Sequence, residues 1–290
     1  MLTLYRAATT AALPLVDLLL WRRATRGKED PSRIDERRGI PSLERPHGRL
    51  VWLHAASLGE AQSILQLVDR LLRDRPNLSA LVTTGTVTSA DMLASRLPAR
   101  ALHQFVPFDR AGWVRRFLDY WRPDAAIWVE SELWPNMLVE TRARGVPLAL
   151  VNARISEKSY AAWRRAPGNA RRLLGRFDLI LAQDDTIAAR LRDLGAENVV
   201  VSGNLKAAAA ALPARADALA ELQDTFADRP LWLAASTHPG EEAMVAATHR
   251  HAAAGRPGLL TVLVPRHPQR GGEIAVELAA AGFTVARRSA

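Results

Sequence analysis

The apolar positions of this chain fall into short runs that alternate with stretches of helical period. After Arg49 the order is regular. "RLVWLHA" has the length of a buried strand, and "EAQSILQLVDRLLRD" repeats its apolar residues at intervals of three and four. "LSALVTTGT" is a second strand, "TSADMLASRL" a second helix, and "ALHQFVPFD" a third strand. "DAAIWVE" follows, then a helix from about Pro135 to Arg144, then the strands "VPLALVNAR", "FDLILAQD" and "NVVVSGN" with helical segments between them. Near-continuous apolar strands separated by helices mark βα units and a parallel sheet covered on both faces. Right-handed crossovers make such a sheet doubly wound. Residues 50–204 therefore read as one Rossmann-like α/β domain.

The stretch 205–230, "LKAAAAALPARADALAELQDTFADRP", contains no strand pattern, and 205–229 reads as an interdomain linker with a helix in it. A second βα series follows in 230–290: "PLWLAAST", a helix from about Gly240, "LLTVLVPRH", another helix, and "FTVARR". Three strands are too few for a sheet as large as the first, so the second Rossmann-like domain is expected to be incomplete. Two such domains on a linker, with a cleft between them, form the GT-B architecture; that step is an analogy at the level of fold.

The N-terminus departs from this rhythm. "LTLYRAATTAALPLVDLLLW" (2–21) is mostly apolar, yet Arg6, Thr10, Leu13 and Asp17 share one helical stripe, and Arg22, Arg23, Arg26 and Lys28 follow directly. An apolar helix with a polar stripe and a basic flank suits a cytoplasmic, anionic membrane surface. Residues 1–28 are thus expected to form a membrane-associated helix, the alternative being a helix packed on the protein's own core. Residues 29–49, polar and rich in Pro and Gly, read as a connector.

Composition narrows the chemistry. The 290 residues include no cysteine, which excludes disulfides, thiolate catalysis and zinc–thiolate sites. Lysine and arginine number 39 against 30 acids, a net charge of +9, and 48% of residues are hydrophobic. That is the balance of a globular protein with a basic surface suited to phosphates or anionic lipid. Nucleic acid is not expected as a partner, because no helix-turn-helix, zinc-finger or RNA-binding signature is present.

In an open parallel sheet, ligands gather beyond the carboxyl ends of the strands. The first strand ends in His54, Ser57, Gly59 and Glu60, the second in Thr83, Thr84, Gly85 and Thr86. Later strands end in Glu130, Ser131 and Glu132, in Asn152 and Arg154, and in Ser202, Gly203, Asn204 and Lys206. The second series offers Ser236, Thr237 and His238, then Arg266 and His267. No metal-ligand spacing occurs among them. A carboxylate in a first helical turn stays ionised in the field of the helix dipole and can take a proton from a hydroxyl. Equally, Ser57 and Glu60 form the S-x-x-E capping box, which only satisfies helix-end N–H groups. Both readings of Glu60 stand at this level. Glu130 can be held by a cation such as Lys206, in a structural or a functional pair. Lys206 and Arg266 suit a carboxylate or phosphate, and Ser236 or Thr237 can either cap the next helix or help receive an anion. "AASLG" (55–59) approximates the hydrolase elbow G-x-S-x-G, which makes Ser57 a rival nucleophile.

Taken together, "HAASLGE", "TTGT", "WVESELWPN", "NARIS", "GNLK" and "AASTHPGEE…LVPRHPQR", in that order, resemble the 3-deoxy-D-manno-octulosonic acid (Kdo) transferases that extend lipid A. The resemblance runs from the N-terminal segment to the last residue. It implies inverting, metal-independent, cofactor-free transfer from CMP-Kdo to a lipid A precursor at the cytoplasmic side of the inner membrane. It implies Glu60 as general base, Glu130 and Lys206 as transition-state stabilisers, and Arg266 and His267, with Ser236 and Thr237, around the donor. Ser57, Gly59, Thr84, Thr86 and Glu132 are then the acceptor-side residues. Two departures accompany it: alanines follow GNLK, and members of the family continue well past residue 290 into a Gly- and Asn-containing donor segment. The 290-residue chain is therefore expected to show little or no transferase activity alone. An inactive membrane-associated fragment and a GT-B enzyme with another nucleotide-sugar donor are the competing expectations.

Overall fold

A computed structural model describes residues 2–131, 133–208, 214–227 and 229–288. The chain divides into two compact units, residues 1–210 and 211–290.

The first unit opens with helices α1 (Leu2–Ala11) and α2 (Leu13–Thr25), then a 3-10 helix over Pro31–Arg38. Seven strands follow: β1 (Arg49–His54), β2 (Leu78–Thr84), β3 (Ala101–Phe105), β4 (Ala125–Val129), β5 (Leu148–Ala153), β6 (Leu179–Ala182) and β7 (Val199–Val201). Between them run α3 (Leu58–Asp74), α4 (Val87–Ala94), α5 (Ala111–Trp121), α6 (Pro135–Ala143), α7 (Glu157–Arg164), α8 (Pro167–Leu174) and α9 (Asp185–Asp193). A 3-10 turn over Leu205–Ala208 closes the unit.

All seven strands are parallel, in the order β3-β2-β1-β4-β5-β6-β7. Alternate residues of β1 show why both faces are apolar. Leu50 and Trp52 enter a core with Phe117, Trp121, Trp128 and Leu138 of the α5–α6 side. Val51 and Leu53 enter a second core with Ile64, Val68, Leu72 and Leu93 of α3 and α4. In α3 the buried positions 61, 64, 68 and 72 keep helical spacing, so one stripe seals the sheet and the rest faces water. Trp52, Trp128 and Phe117 form the centre of the first core, with ring centroids 4.6 Å and 4.8 Å apart. Strand order reverses between β1 and β4, the switch point where a crevice opens beyond the strand ends.

The N-terminal region departs from the single helix and plain connector read from the sequence. The helix divides at Ala12, ahead of Pro14 in the first turn of α2. Two residues of its polar stripe pair with protein: Arg6 with Glu140 at 2.6 Å and Asp17 with Arg38 at 3.0 Å. Tyr5 donates to Asp109 at 2.9 Å. The 29–49 segment holds the 3-10 helix, capped by Asp30 and stopped by Gly39 at φ +76°. Gly39 lies so close to α5 that a Cβ there would come within 2.1 Å of the Trp113 carbonyl oxygen.

The second unit contains α10 (Ala216–Phe226), β8 (Leu231–Thr237), α11 (Glu241–Ala253), β9 (Leu260–Pro265), a 3-10 turn at Pro268–Arg270 and α12 (Gly271–Ala280). Strands β8 and β9 pair in parallel. "FTVARR" is not a strand: Phe283 packs instead against α11, its ring 5.5 Å from that of His249 and 4.6 Å from the Arg250 guanidinium.

Candidate active site

The turn from β1 into α3 is built by reciprocal capping. Ser57 is the N-cap, in extended backbone at φ −118°, and its hydroxyl oxygen accepts from the Glu60 N–H at 3.4 Å. The Glu60 carboxylate accepts in return from the Ser57 hydroxyl at 2.8 Å and from the Ala56 N–H at 2.9 Å. Half-buried Glu60 is thus fixed at the carboxyl end of β1 with its charge satisfied by local donors. The extended backbone of Ser57 also lacks the strained turn of a hydrolase elbow, and its hydroxyl is spent on Glu60, which removes the nucleophile reading.

The adjacent β2 turn packs directly on this one. The Gly85 N–H donates to the Ala56 carbonyl at 3.1 Å, and a Cβ on Gly85 would lie 3.0 Å from that oxygen, so the approach depends on glycine. Thr86 caps α4 by accepting from the Ser89 N–H at 3.2 Å. Thr84 is fully buried, its hydroxyl bound to His103 Nε2 at 2.9 Å, so this turn offers backbone and Thr86 rather than the Thr84 side chain. Beneath the turns, His54 is fully buried; its Nδ1 lies 3.1 Å from the Thr83 hydroxyl, which also receives the Trp52 indole N–H at 2.9 Å. Burial pushes the His54 imidazole down to about 4, and burial beside Arg33 and Arg37 pushes His103 down to about 3.

Across the switch point, Glu130 follows β4 with φ +58°, and Asn152 at the end of neighbouring β5 has φ +53°. Two non-glycine residues in left-handed backbone on adjacent strand ends mark a constrained edge. The Glu130 carboxylate lies 3.6 Å from Arg154, which places a cation beside it. Asn152 Oδ1 accepts from the Leu205 N–H at 3.1 Å, which brings the GNLK backbone to the β5 end and against α3. Lys206 lies on that 3-10 turn, but its side chain, like all of Glu132, falls outside the described residues. Trp134 precedes α6 and is 41% exposed. The α6 N-terminus is held from below by buried Asp109, which accepts from the Asn136 and Met137 N–H groups at 3.0 Å and 2.8 Å. Burial raises the Asp109 carboxyl above its ordinary range.

The first unit therefore gathers Ser57, Gly59, Glu60, Thr84, Thr86, Glu130 and the Lys206 backbone at one sheet edge. Ser236, Thr237, Arg266 and His267 lie in the second unit, where they share the β8–β9 edge. Ser236 has φ +61° at a bulge, and the Arg266 N–H donates to the Thr237 carbonyl at 3.0 Å. The His267 ring lies 6.5 Å from that of His238. Neither hydroxyl caps α11, whose N-cap is Gly240; Thr237 donates to Glu242 at 2.9 Å, and Glu242 is clamped by Arg270 at 2.8 Å and 3.2 Å.

Sequence reasoning passed over Arg37. It is 4% exposed, in a stretch taken for a connector. The signal was present: Asp30, Pro31 and Gly39 are start and stop residues for a short helix.

The model of the family described as 3-deoxy-D-manno-octulosonic-acid transferase (kdotransferase) matches residues 32–209. Among curated proteins, a probable mitochondrial Kdo transferase of Arabidopsis thaliana is 37% identical over 99% of this chain and 66% of its own length. The Kdo transferase of Bordetella pertussis is 38% identical over 99% of this chain and 69% of its own, and that of Rickettsia bellii 34% over 93% and 64%. The chain spans about two thirds of the length of these relatives. Among solved structures, a Neisseria meningitidis UDP-GlcNAc 2-epimerase aligns with TM-score 0.56 at 11% identity, covering 80% of this chain and 69% of its own. A Rickettsia africae glycosyltransferase aligns with TM-score 0.53 at 11% identity, covering 81% and 66%. These structural likenesses place the fold in the GT-B class. With a doubly wound sheet carrying Glu60 at its switch point, and with identities above 30% along nearly its whole length, the chain belongs to the 3-deoxy-D-manno-octulosonic acid transferase family.

Proposed function

We propose that the protein of which this chain forms all or part transfers Kdo from CMP-Kdo to a hydroxyl of a lipid A precursor, with inversion and without a metal or other cofactor. The Glu60 carboxylate takes the hydroxyl proton as the acceptor oxygen bonds to the anomeric carbon. The bond from that carbon to the phosphate oxygen breaks, and CMP leaves with the electron pair. Glu130 and Lys206 steady the charge that develops. Arg266 and His267, with Ser236 and Thr237, hold the donor, and Ser57, Gly59, Thr84, Thr86 and Glu132 line the acceptor side. The observation that carries this reading is the placement of Glu60: capped at a helix start, beyond the β1 end, on the strand next to the one that ends in Glu130.

The acceptor is a lipid, and the N-terminal helices suit a bilayer surface at the cytoplasmic side of the inner membrane. Arg6 and Asp17 of their polar stripe pair with protein, while Leu4 is 72% exposed and Trp21, next to Arg22 in a segment that continues to Arg26 and Lys28, is 63% exposed. No helix among the described residues is long and apolar enough to cross a membrane.

The decisive substitution is Glu60→Gln. Glutamine can still serve the capping box, so folding is kept while the base is lost. Turnover of CMP-Kdo should fall by about 10²-fold or more, with UDP-sugars inert as donors. Turnover at the wild-type rate would refute the base assignment.

A further inference from the structure

Arg37 occupies a position that a surface connector would not require. Its guanidinium is buried and donates to Glu29 at 2.8 Å, to the Gly85 carbonyl at 2.7 Å, to the Val106 carbonyl at 3.1 Å and to the Thr84 carbonyl at 3.5 Å. It also lies 4.7 Å from the Phe105 ring centre and 5.9 Å from that of Phe108. One planar fork therefore joins the ends of β2 and β3. Burial of a charge is tolerated only with a partner, and Glu29 supplies it. Glu29 is itself buried and takes a second contact from Arg23 of α2 at 2.7 Å.

The path from this cation to the candidate base is short. Arg37 holds the Gly85 carbonyl, Gly85 N–H holds the Ala56 carbonyl, and Ala56 N–H holds the Glu60 carboxylate at 2.9 Å. The close approach of Gly85 to Ala56 leaves little room for one turn to shift without the other.

We propose that Arg37 is a positioning residue for the transfer reaction: by clamping the turn at Thr84–Gly85, with Glu29 as its counter-ion, it holds the neighbouring turn that aims the Glu60 carboxylate. This rests on the reading of Glu60 as the base. Arg37 touches neither donor nor acceptor; it acts through two turns. A lysine there keeps the charge opposite Glu29 but cannot span the carboxylate and all three carbonyls at once.

Amide hydrogen exchange and steady-state kinetics on Arg37→Lys test this. Protection of the Ala56 and Gly85 amides should fall by about tenfold, while the amides of Leu150 and Leu191, remote in the same unit, stay as in wild type. In the intact enzyme kcat should fall by about tenfold with KM for donor and acceptor within about threefold, since misaimed groups cost rate more than binding. Unchanged protection at Ala56 and Gly85, protection lost uniformly across the unit, or a wild-type kcat overturns the proposal. If the lysine variant does not fold, the double variant Glu29→Met with Arg37→Met removes both buried charges and must show the same local loss for the proposal to stand. Glu60→Gln measured alongside keeps the two claims apart. Turnover retained there defeats the base reading, while exchange at Ala56 and Gly85 still decides whether Arg37 holds the turns.

Discussion

Acidification should destabilise the first unit through His54, by an amount that the structure sets. The ring is fully buried, its Nε2 meets no hydrogen-bond partner among the described residues, and burial lowers it from 6.5 to about 4. In the unfolded chain the same ring takes a proton near 6.5. Between these values the unfolded state binds a proton that the native state refuses. Stability is therefore fully present above about 6.5, declines as pH falls towards about 4, and loses nothing further from this group below that. Going from about pH 7.5 to about pH 5 the linkage amounts to about 2 kcal/mol. His103, held near 3, acts in the same direction, whereas the raised Asp109 carboxyl acts in the opposite one, because its native form binds a proton more readily. Both remain in a His54→Leu variant, so the difference between variant and wild type isolates His54. The Thr83 hydroxyl keeps the Trp52 N–H in that variant, and the loss of its contact with the ring lowers stability equally at the two pH values, so it cancels in the comparison. Urea unfolding followed by tryptophan fluorescence reads the first unit, since Trp232 is the only one of the eight tryptophans that lies in the second. The loss of stability on acidification should be smaller in His54→Leu by about 2 kcal/mol. Parallel pH profiles for the two proteins would show that His54 titrates normally in the native state and would refute the burial reasoning.

Two further outcomes follow from the N-terminal region. Gly39→Ala combines φ +76° with a Cβ 2.1 Å from the Trp113 carbonyl, so it should cost about 2 kcal/mol or more in a urea midpoint series; a change below about 0.5 kcal/mol would mean that the 3-10 helix does not press on α5. Trp21→Ser, at a 63% exposed position, should weaken sedimentation with vesicles containing anionic lipid by about tenfold and leave the urea midpoint unchanged; equal binding would remove α2 from the bilayer surface.

Much of this site was legible because its signals are local. The S-x-x-E spacing marks the start of α3 at Ser57, and the apolar runs mark every strand of the large sheet, since burial on both faces of its central strands leaves no polar alternation to blur them. Whether Glu60 is a cap or a free carboxylate was not a true alternative, as the capping contacts themselves hold the side chain at the strand end. The connector reading of residues 29–49 missed a buried pair: Glu36 and Arg37 lie inside, because their partners come from the ends of β2 and β3. Tyr5 and Arg6 of the first helix find Asp109 and Glu140 more than a hundred residues away, partners that no local pattern announces.

By itself the sequence determined the βα rhythm, the parallel doubly wound sheet and the strand-end turns that bear Glu60 and Glu130. These depend on the period of apolar residues and on caps within four positions of one another. Tertiary structure alone decided that Arg154 lies beside Glu130, that Glu130 and Asn152 take left-handed backbone, and that Arg37 ties two strand ends together. A buried charge and a strained backbone are tolerated only where distant segments supply the compensating contacts, and no local pattern in the chain records which segments those are.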